Sequence, residues 1–225
     1  MRVCVVIPAF NEAHAIADVV SRVRDWVPDV VVVDDGSTDG TREEATEAGA
    51  TVLRHDINRG KGHAVRTGLA HVLAGPWTHV LLMDGDGQHR PSDVPRLLDA
   101  AAREDAELVV GARVFRKDAM PRARYYSNVI GSWALSRFVG APVRDSQSGF
   151  RVIRCEALRG LTLTSRGYEI ETEMLIRLRQ RGARIASVPV EAVYGLGPSK
   201  LRPVRDTTRT CFLAVRYRFL SGSQT

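Results

Sequence analysis

Short, continuous apolar runs separated by stretches of helical period organise the first half of the chain. Residues 3–7 (VCVVI) and 30–33 (VVVV) are β-branched and do not alternate with polar positions, the pattern of parallel strands buried on both faces. Between them, within residues 12–26, Ile16, Val19, Val20 and Val23 recur at helical spacing, so the chain opens as a β–α–β unit. Ser37, Thr38 and Asp39 offer capping oxygens for a short helix reaching Ala48, and Thr51–Arg54 predicts a third strand. The Gly-rich turn NRGKGHA leads into a helix near Leu73. Residues 78–83 form another apolar strand that runs into DGDGQH, after which Pro91 and Ser92 open a helix with Val94, Leu97 and Leu98 on one face. A strand over residues 108–111 then delivers Arg113.

From Arg122 the rhythm changes. YYSNVIGSWALSRF predicts a helix with apolar and aromatic exposure, and RDSQSGFR is a polar segment that returns toward the sheet. Residues 169–181 read as a helix stopped by Gly182, and 185–193 as a strand whose Pro189 favours an edge position. Near the end of the chain Val204, Thr208, Cys211, Phe212, Val215 and Phe219 share one helical face flanked by Arg205, Arg209 and Arg216. Such a basic amphipathic helix suits docking on its own domain and resting on an anionic membrane equally well.

The expected fold class is therefore α/β, a central, mostly parallel sheet flanked by helices. With 225 residues, 44% of them apolar, a single domain is expected, with residues 1–115 and 116–225 as its two halves. The formal charge of +6 favours anionic partners without choosing among phosphates, lipid headgroups and nucleic acid. Nucleic acid is not expected, because the basic residues are not interleaved with an aromatic platform. Cys4, Cys155 and Cys211 are odd in number and widely spaced, against a disulfide framework or zinc site and in favour of a reducing cytoplasm. The first residues run directly into a core strand, unlike a signal peptide, and no apolar run reaches the roughly 18 residues of a membrane span. A cytoplasmic location is expected, with any membrane contact peripheral, at the cytoplasmic face. The sequence does not set the oligomeric state.

The acidic clusters fall just after strands, on the carboxyl edge where open parallel sheets bind ligands. In DGDGQ, Asp84, Asp86 and Gln88 are hard oxygen donors able to hold a divalent cation that keeps waters and phosphate oxygens, and the glycines let the backbone approach a ligand; an ordinary Asp-Gly turn has the same composition. In VVVDDGSTDGT, helix capping accounts for Ser37 and Asp39 but leaves Asp34 and Asp35 adjacent and repelling unless a ligand, cation or base offsets them. Lys61 and His63 stand where a phosphate could be approached, but they lack the Walker spacing and a helix start accounts for them; His89 is a candidate ligand beside DGDGQ, but reads as a solvated turn residue.

VIPAFNE, VVVDDGSTDGT, NRGKGHA, MDGDGQH, GARVF, RDSQSGFR, GYEIETEML, VPVEAVY and SKLRPVRD, in that order along nearly the whole chain, resemble the inverting GT-A glycosyltransferases of family 2. Within them the chain is most similar to the dolichol-phosphate mannosyltransferase and polyprenyl-phosphate glycosyltransferase branch. The resemblance implies a nucleotide-sugar donor bordered by Pro8, Phe10, Glu12, Val33 and Asp35, with Asp34 sharing the base or ribose contact. It implies that Asp84, Asp86 and Gln88 hold Mg²⁺ or Mn²⁺ against the donor diphosphate beside Gly85, and that Arg113 and Lys200 face phosphates of donor or acceptor. Pro8 also suits a strand end and Phe10 the core. YGLGPSK lacks the acidic residue many relatives carry after Tyr-Gly, and Tyr194 stands where other branch members place Arg; both bear on the acceptor.

A hydroxyl acceptor needs a general base, for which Asp145 is the first candidate, with Glu169 and Glu171 in reserve; pairing of Asp145 with Arg144 or Arg151 is the structural alternative. A phosphate acceptor is already largely ionised and needs cationic positioning instead, for which Arg113, Arg122, Arg124, Lys200 and Arg202 are available. Tyr125, Tyr126, Val129, Ile130, Trp133 and Leu135 suit a prenyl groove or a helical core. The expected activity is transfer of a hexose from GDP-mannose or UDP-glucose to a polyprenyl or dolichyl phosphate. Its rivals are transfer to a soluble hydroxyl acceptor, a sugar nucleotidyltransferase, against which the absence of a triphosphate loop argues, and a non-catalytic binding module.

Overall fold

The computed structural model describes residues 1–114, 132, 136–137, 140 and 143–191. The elements are β1 (Val3–Ala9), α1 (Ile16–Arg24), β2 (Val30–Asp34), α2 (Thr41–Glu47), β3 (Thr51–Arg54), α3 (Lys61–Ala74), β4 (His79–Leu82), a 3₁₀ turn (Pro91–Asp93) and α4 (Val94–Arg103). They continue with β5 (Leu108–Arg113), β6 (Arg151–Arg154), α5 (Cys155–Leu158), α6 (Ile170–Gln180) and β7 (Ile185–Val190).

All seven strands form one sheet in the order β3-β2-β1-β4-β6-β5-β7. Pairing is parallel between β3 and β2, β2 and β1, β1 and β4, and β5 and β7. Strand β6 runs antiparallel to both neighbours, matching Arg151 to Leu82 of β4 and to Val110 of β5. Because β6 alone is reversed, the other six strands end at the same edge, and β6 begins there. The two halves distinguished in the sequence thus share a sheet. Strand β7 occupies an edge, where Pro189 sacrifices no needed ladder donor.

Alternation along β1 divides the core. Cys4 and Val6 pack with Val31 and Val33 under α3 and α6, through Val65, Leu69, Val72, Met174 and Leu178. Val5 and Ile7 pack on the opposite face under α1 and α4, through Ile16, Val20, Val23, Val94 and Leu97. This two-sided cover is why the early strands are apolar at successive positions. Helix α6 ends at Gly182, whose φ of 81° permits the left-handed turn into β7.

One local expectation is corrected. Ser37 does not cap α2: its hydroxyl accepts from the backbone N–H of Asn11 at 2.9 Å, tying the β1–α1 loop to the β2–α2 loop. Asp39 serves the helix start instead, accepting from Thr41 N–H at 3.0 Å, and its other oxygen accepts from Ala13 N–H at 3.2 Å. The RDSQSGFR segment does return to the sheet, its last residue, Arg151, opening β6 between β4 and β5.

Candidate active site

Asp84 follows β4 at the shared carboxyl edge, and three elements converge on its side chain. Lys61, the first residue of α3, places Nζ 2.6 Å from Asp84 Oδ1 and 2.7 Å from Glu171 Oε1 at the start of α6. The ring of Tyr168 lies 5.2 Å from the same ammonium. On the other side His89 Nε2 is 3.7 Å from Asp84 Oδ2. Gly149, just before β6, closes the site so tightly that a Cβ there would meet the Asp84 carboxylate.

The electrostatics follow from these contacts. Burial opposes ionisation of Asp84, but the Lys61 ammonium and His89 outweigh it and hold the acid well below the usual carboxylate range. Asp86 is shifted the other way, raised by burial and then by the charge of Asp84. Its Oδ1 accepts from Gln88 N–H at 3.0 Å. Glu171 is also raised, first by burial, with Lys61 opposing; its Oε2 is buried without a hydrogen-bond partner. Lys61 is pushed up because its two carboxylates overcome the cost of burying it.

Lys61 read more readily as a helix start than as a phosphate contact, and the structure brings it to the centre of the site. The available signal was the glycine on each side of it: a Cβ at Gly60 would lie 2.5 Å from the carbonyl of Arg166, and one at Gly62 would collide with that of Ser165. Gly60 also has φ 95°, which a side chain disfavours. His89 is likewise corrected from a solvated turn residue: only 3% exposed, it stacks on Phe150 with ring centroids 5.1 Å apart.

Asp145 is fully buried and bonded to neither Arg144 nor Arg151. Arg113 grips it at both oxygens, Nε to Oδ2 at 2.6 Å and Nη2 to Oδ1 at 3.0 Å. Burial would raise this acid, but the guanidinium prevails and lowers it. Arg151, completely buried, donates to the carbonyls of Ser148, Glu171 and Ser146 at 2.7, 2.5 and 2.8 Å, fastening RDSQSGFR to the start of α6. The third base candidate, Glu169, folds back on the backbone N–H groups of Arg166 and Gly167.

The residues expected around the nucleotide separate into two groups. Pro8 and Phe10 are half-buried at the end of β1, and Glu12 donates its backbone N–H to Thr41 Oγ1 at 2.8 Å. Asp34 accepts from Ser37 N–H at 2.9 Å, and its Oδ2 has no hydrogen-bond partner. The Val33 side chain is fully buried in the core under α3. Both oxygens of Asp35 have partners within the protein: Oδ1 meets His55 Nδ1 at 2.6 Å and Arg59 N–H at 3.0 Å, and Oδ2 meets Gly60 N–H at 2.7 Å. Asp35 therefore fixes the turn that presents Lys61. Gly85 packs against Ile7 and Ile16. Lys200, Arg202, Arg122, Arg124, the aromatic segment, Tyr194 and the C-terminal amphipathic helix lie outside the described residues.

An acidic carboxyl edge joined to a cationic second half is the frame in which the comparisons with known proteins apply. The sequence model of glycosyl transferase family 2 matches residues 4–162. The chain belongs to that family. It is 39% identical over 211 residues to glycosyltransferase AglJ of Haloferax volcanii, covering 91% of this chain and 68% of that protein. It is 35% identical over 215 residues to undecaprenyl-phosphate mannosyltransferase of Micrococcus luteus, covering 89% and 88%. Among solved structures, glucosyl-3-phosphoglycerate synthase of Mycobacterium tuberculosis, crystallised with Mn²⁺, UDP and glucosyl-3-phosphoglycerate, superposes with a TM-score of 0.73 at 26% identity, over 96% of this chain and 79% of that one. This family 2 protein is a glycosyltransferase with the GT-A fold.

Proposed function

We propose that this family 2 enzyme transfers a hexose from a nucleotide sugar to a polyprenyl phosphate at a membrane surface. The observation that carries the acceptor class is the state of the three base candidates. Asp145, the first candidate, is gripped at both oxygens by Arg113, while Glu171 and Glu169 each have one oxygen engaged, by Lys61 and by backbone N–H groups. A phosphate acceptor attacks without surrendering a proton, so it needs none of them. The lipid-phosphate activity named for the Micrococcus luteus relative supports the same reading.

Asp84 and Asp86 suit Mg²⁺ or Mn²⁺. Both offer hard oxygens, and the mutual repulsion that raises Asp86 is what a cation between acids relieves. Among the described residues no group of three His, Cys, Asp or Glu side chains converges on a metal position. Two protein oxygens, with Gln88 beside them, fit an ion that keeps water and diphosphate oxygens as its other ligands. When bound, the ion supplies Lewis-acid charge to the departing diphosphate. Pro8, Phe10 and Asp34 border the nucleotide in this proposal. Arg113, seated on Asp145, faces the acceptor phosphate in this proposal, and Lys200 and Arg202 add charge from the following segment.

A second reading rests on Glu171. Its raised carboxyl and unpartnered Oε2 stand beside Asp84, which suits a base for a soluble hydroxyl acceptor. One matched assay separates the two. Labelled GDP-mannose and UDP-glucose are offered with Mn²⁺ or Mg²⁺, with a short polyprenyl phosphate or with soluble hydroxyl acceptors. Label recovered in lipid only when metal and prenyl phosphate are both present supports the first reading and identifies the donor; label recovered only in soluble product supports the second.

A further inference from the structure

Lys61 has no task in the transfer described above, yet it is held closely between two carboxylates of the site. Its side chain is 14% exposed, and its two carboxylate partners come from the end of β4 and the start of α6. Neither side of the bridge has room to relax. The glycines flanking Lys61 press against the backbone of Ser165 and Arg166, and Gly62 N–H donates to the carbonyl of Arg166 at 2.8 Å. Glu171 is fixed through its own carbonyl, which accepts from Arg151 Nη1 at 2.5 Å. The ammonium therefore sits in a built seat, on an oxygen of the same carboxylate assigned to the divalent ion.

We propose that Lys61 is a resident counter-cation that competes with the divalent ion for Asp84, so that metal binding weakens the Lys61–Asp84 bond and leaves the ammonium to Glu171. This rests on the assignment of Asp84 and Asp86 to the metal. Two effects of Lys61 on metal affinity oppose one another. The hydrogen bond to Oδ1 holds Asp84 in one orientation, which helps the ion; the positive charge repels it. The charge prevails, because the site is sheltered from water and the repulsion counts twice for a divalent ion, whereas orientation rests on one hydrogen bond. The consequence is coupling: the donor site and the first turn of α6, at the acceptor side, share one ammonium.

The test is Mn²⁺ alone, titrated into the whole chain without nucleotide and followed by the resonance signal of the free ion. Lys61→Met, which keeps the length of the side chain and removes its charge, is expected to bind Mn²⁺ about tenfold more tightly or better. Asp86→Asn is expected to bind it about tenfold more weakly or worse. Unchanged or weaker binding by Lys61→Met, with Asp86→Asn still impaired, overturns the competition and leaves the metal site standing. Wild-type affinity in Asp86→Asn overturns the metal site itself. Because Lys61→Met leaves two buried carboxylates without their cation, a second measurement uses the unaltered protein. It has three lysines, Lys61, Lys117 and Lys200, so amine acetylation at each is separable by peptide mass. Saturating Mn²⁺ is expected to raise labelling of Lys61 about threefold relative to the other two as its bond to Asp84 weakens. An unchanged ratio overturns the proposal.

Discussion

Gly149 lies against the Asp84 carboxylate so closely that a Cβ at position 149 would stand 2.5 Å from Oδ2 and 2.7 Å from Oδ1. Since β6 is clamped between β4 and β5, and Lys61 holds the far side of Asp84, the displaced atoms must be those of the carboxylate. Gly149→Ala is expected to lower transfer at least about tenfold and to cost about 1–3 kcal/mol of stability, as overpacking of a tight site does. Steady-state transfer and denaturant unfolding of the same variant check both. Normal activity would mean that Asp84 does not need its present position.

Asp86 is raised by burial and by Asp84, so the folded protein binds its proton more tightly than the unfolded chain does. Ionising such a group costs stability, and the cost accumulates as pH rises through the interval between the ordinary carboxylate range and the raised value. Asp86→Asn removes that cost. It is expected to abolish transfer while leaving thermal stability at pH 7 unchanged or slightly higher in metal-free buffer. Near-normal turnover with excess Mn²⁺ would remove Asp86 from the metal site.

The strands were legible because burial on both faces demands apolar residues at successive positions, and Pro189 marked its edge for the reason that confines proline to edges. Strand β6 was not, because it consists of RVIR between polar segments and its central place depends on pairing with strands far earlier in the chain. The same contrast runs through the site. Asp84 and Asp86 announce themselves as paired acids after a strand. Lys61 and His89 do not, because their roles lie in contacts with Glu171 and Phe150, each contributed by the distant second half. Asp145 was recognised, but its neighbours in sequence suggested the wrong arginine; the sheet brings it to Arg113 at the end of β5.

Asp35 and His55 predict a stability effect distinct from catalysis. His55 bonds Asp35 through Nδ1 and Thr67 Oγ1 through Nε2 at 2.9 Å, while Asp35 also collects the N–H groups of Arg59 and Gly60. Asp35→Ala strands the buried His55 and the part-buried N–H groups of Arg59 and Gly60 and is expected to cost about 1–3 kcal/mol. Release of the turn before α3 also misplaces Lys61, so hydrogen exchange at residues 59–62 should accelerate. Preserved protection there would show that the turn is held by its glycines alone.

Asp145 and Arg113 give the prediction that separates a catalytic base from an anchor. Asp145 is lowered by Arg113 despite its burial, so the pair contributes stability above the ordinary carboxylate range and loses it as pH falls through the lowered value. Asp145→Asn leaves a nearly buried guanidinium without its counter-ion, which is expected to cost about 3–5 kcal/mol. Replacing both, Arg113→Met with Asp145→Asn, should recover part of that loss, because no uncompensated charge then remains. A general base predicts a different pattern: Asp145→Asn would retain stability, lose turnover, and abolish the acidic limb of the pH–rate profile. Unfolding curves of the two single variants and the double variant, taken at pH 7 and again at acid pH where the wild-type contribution fades, distinguish the anchor from the base without reference to the acceptor.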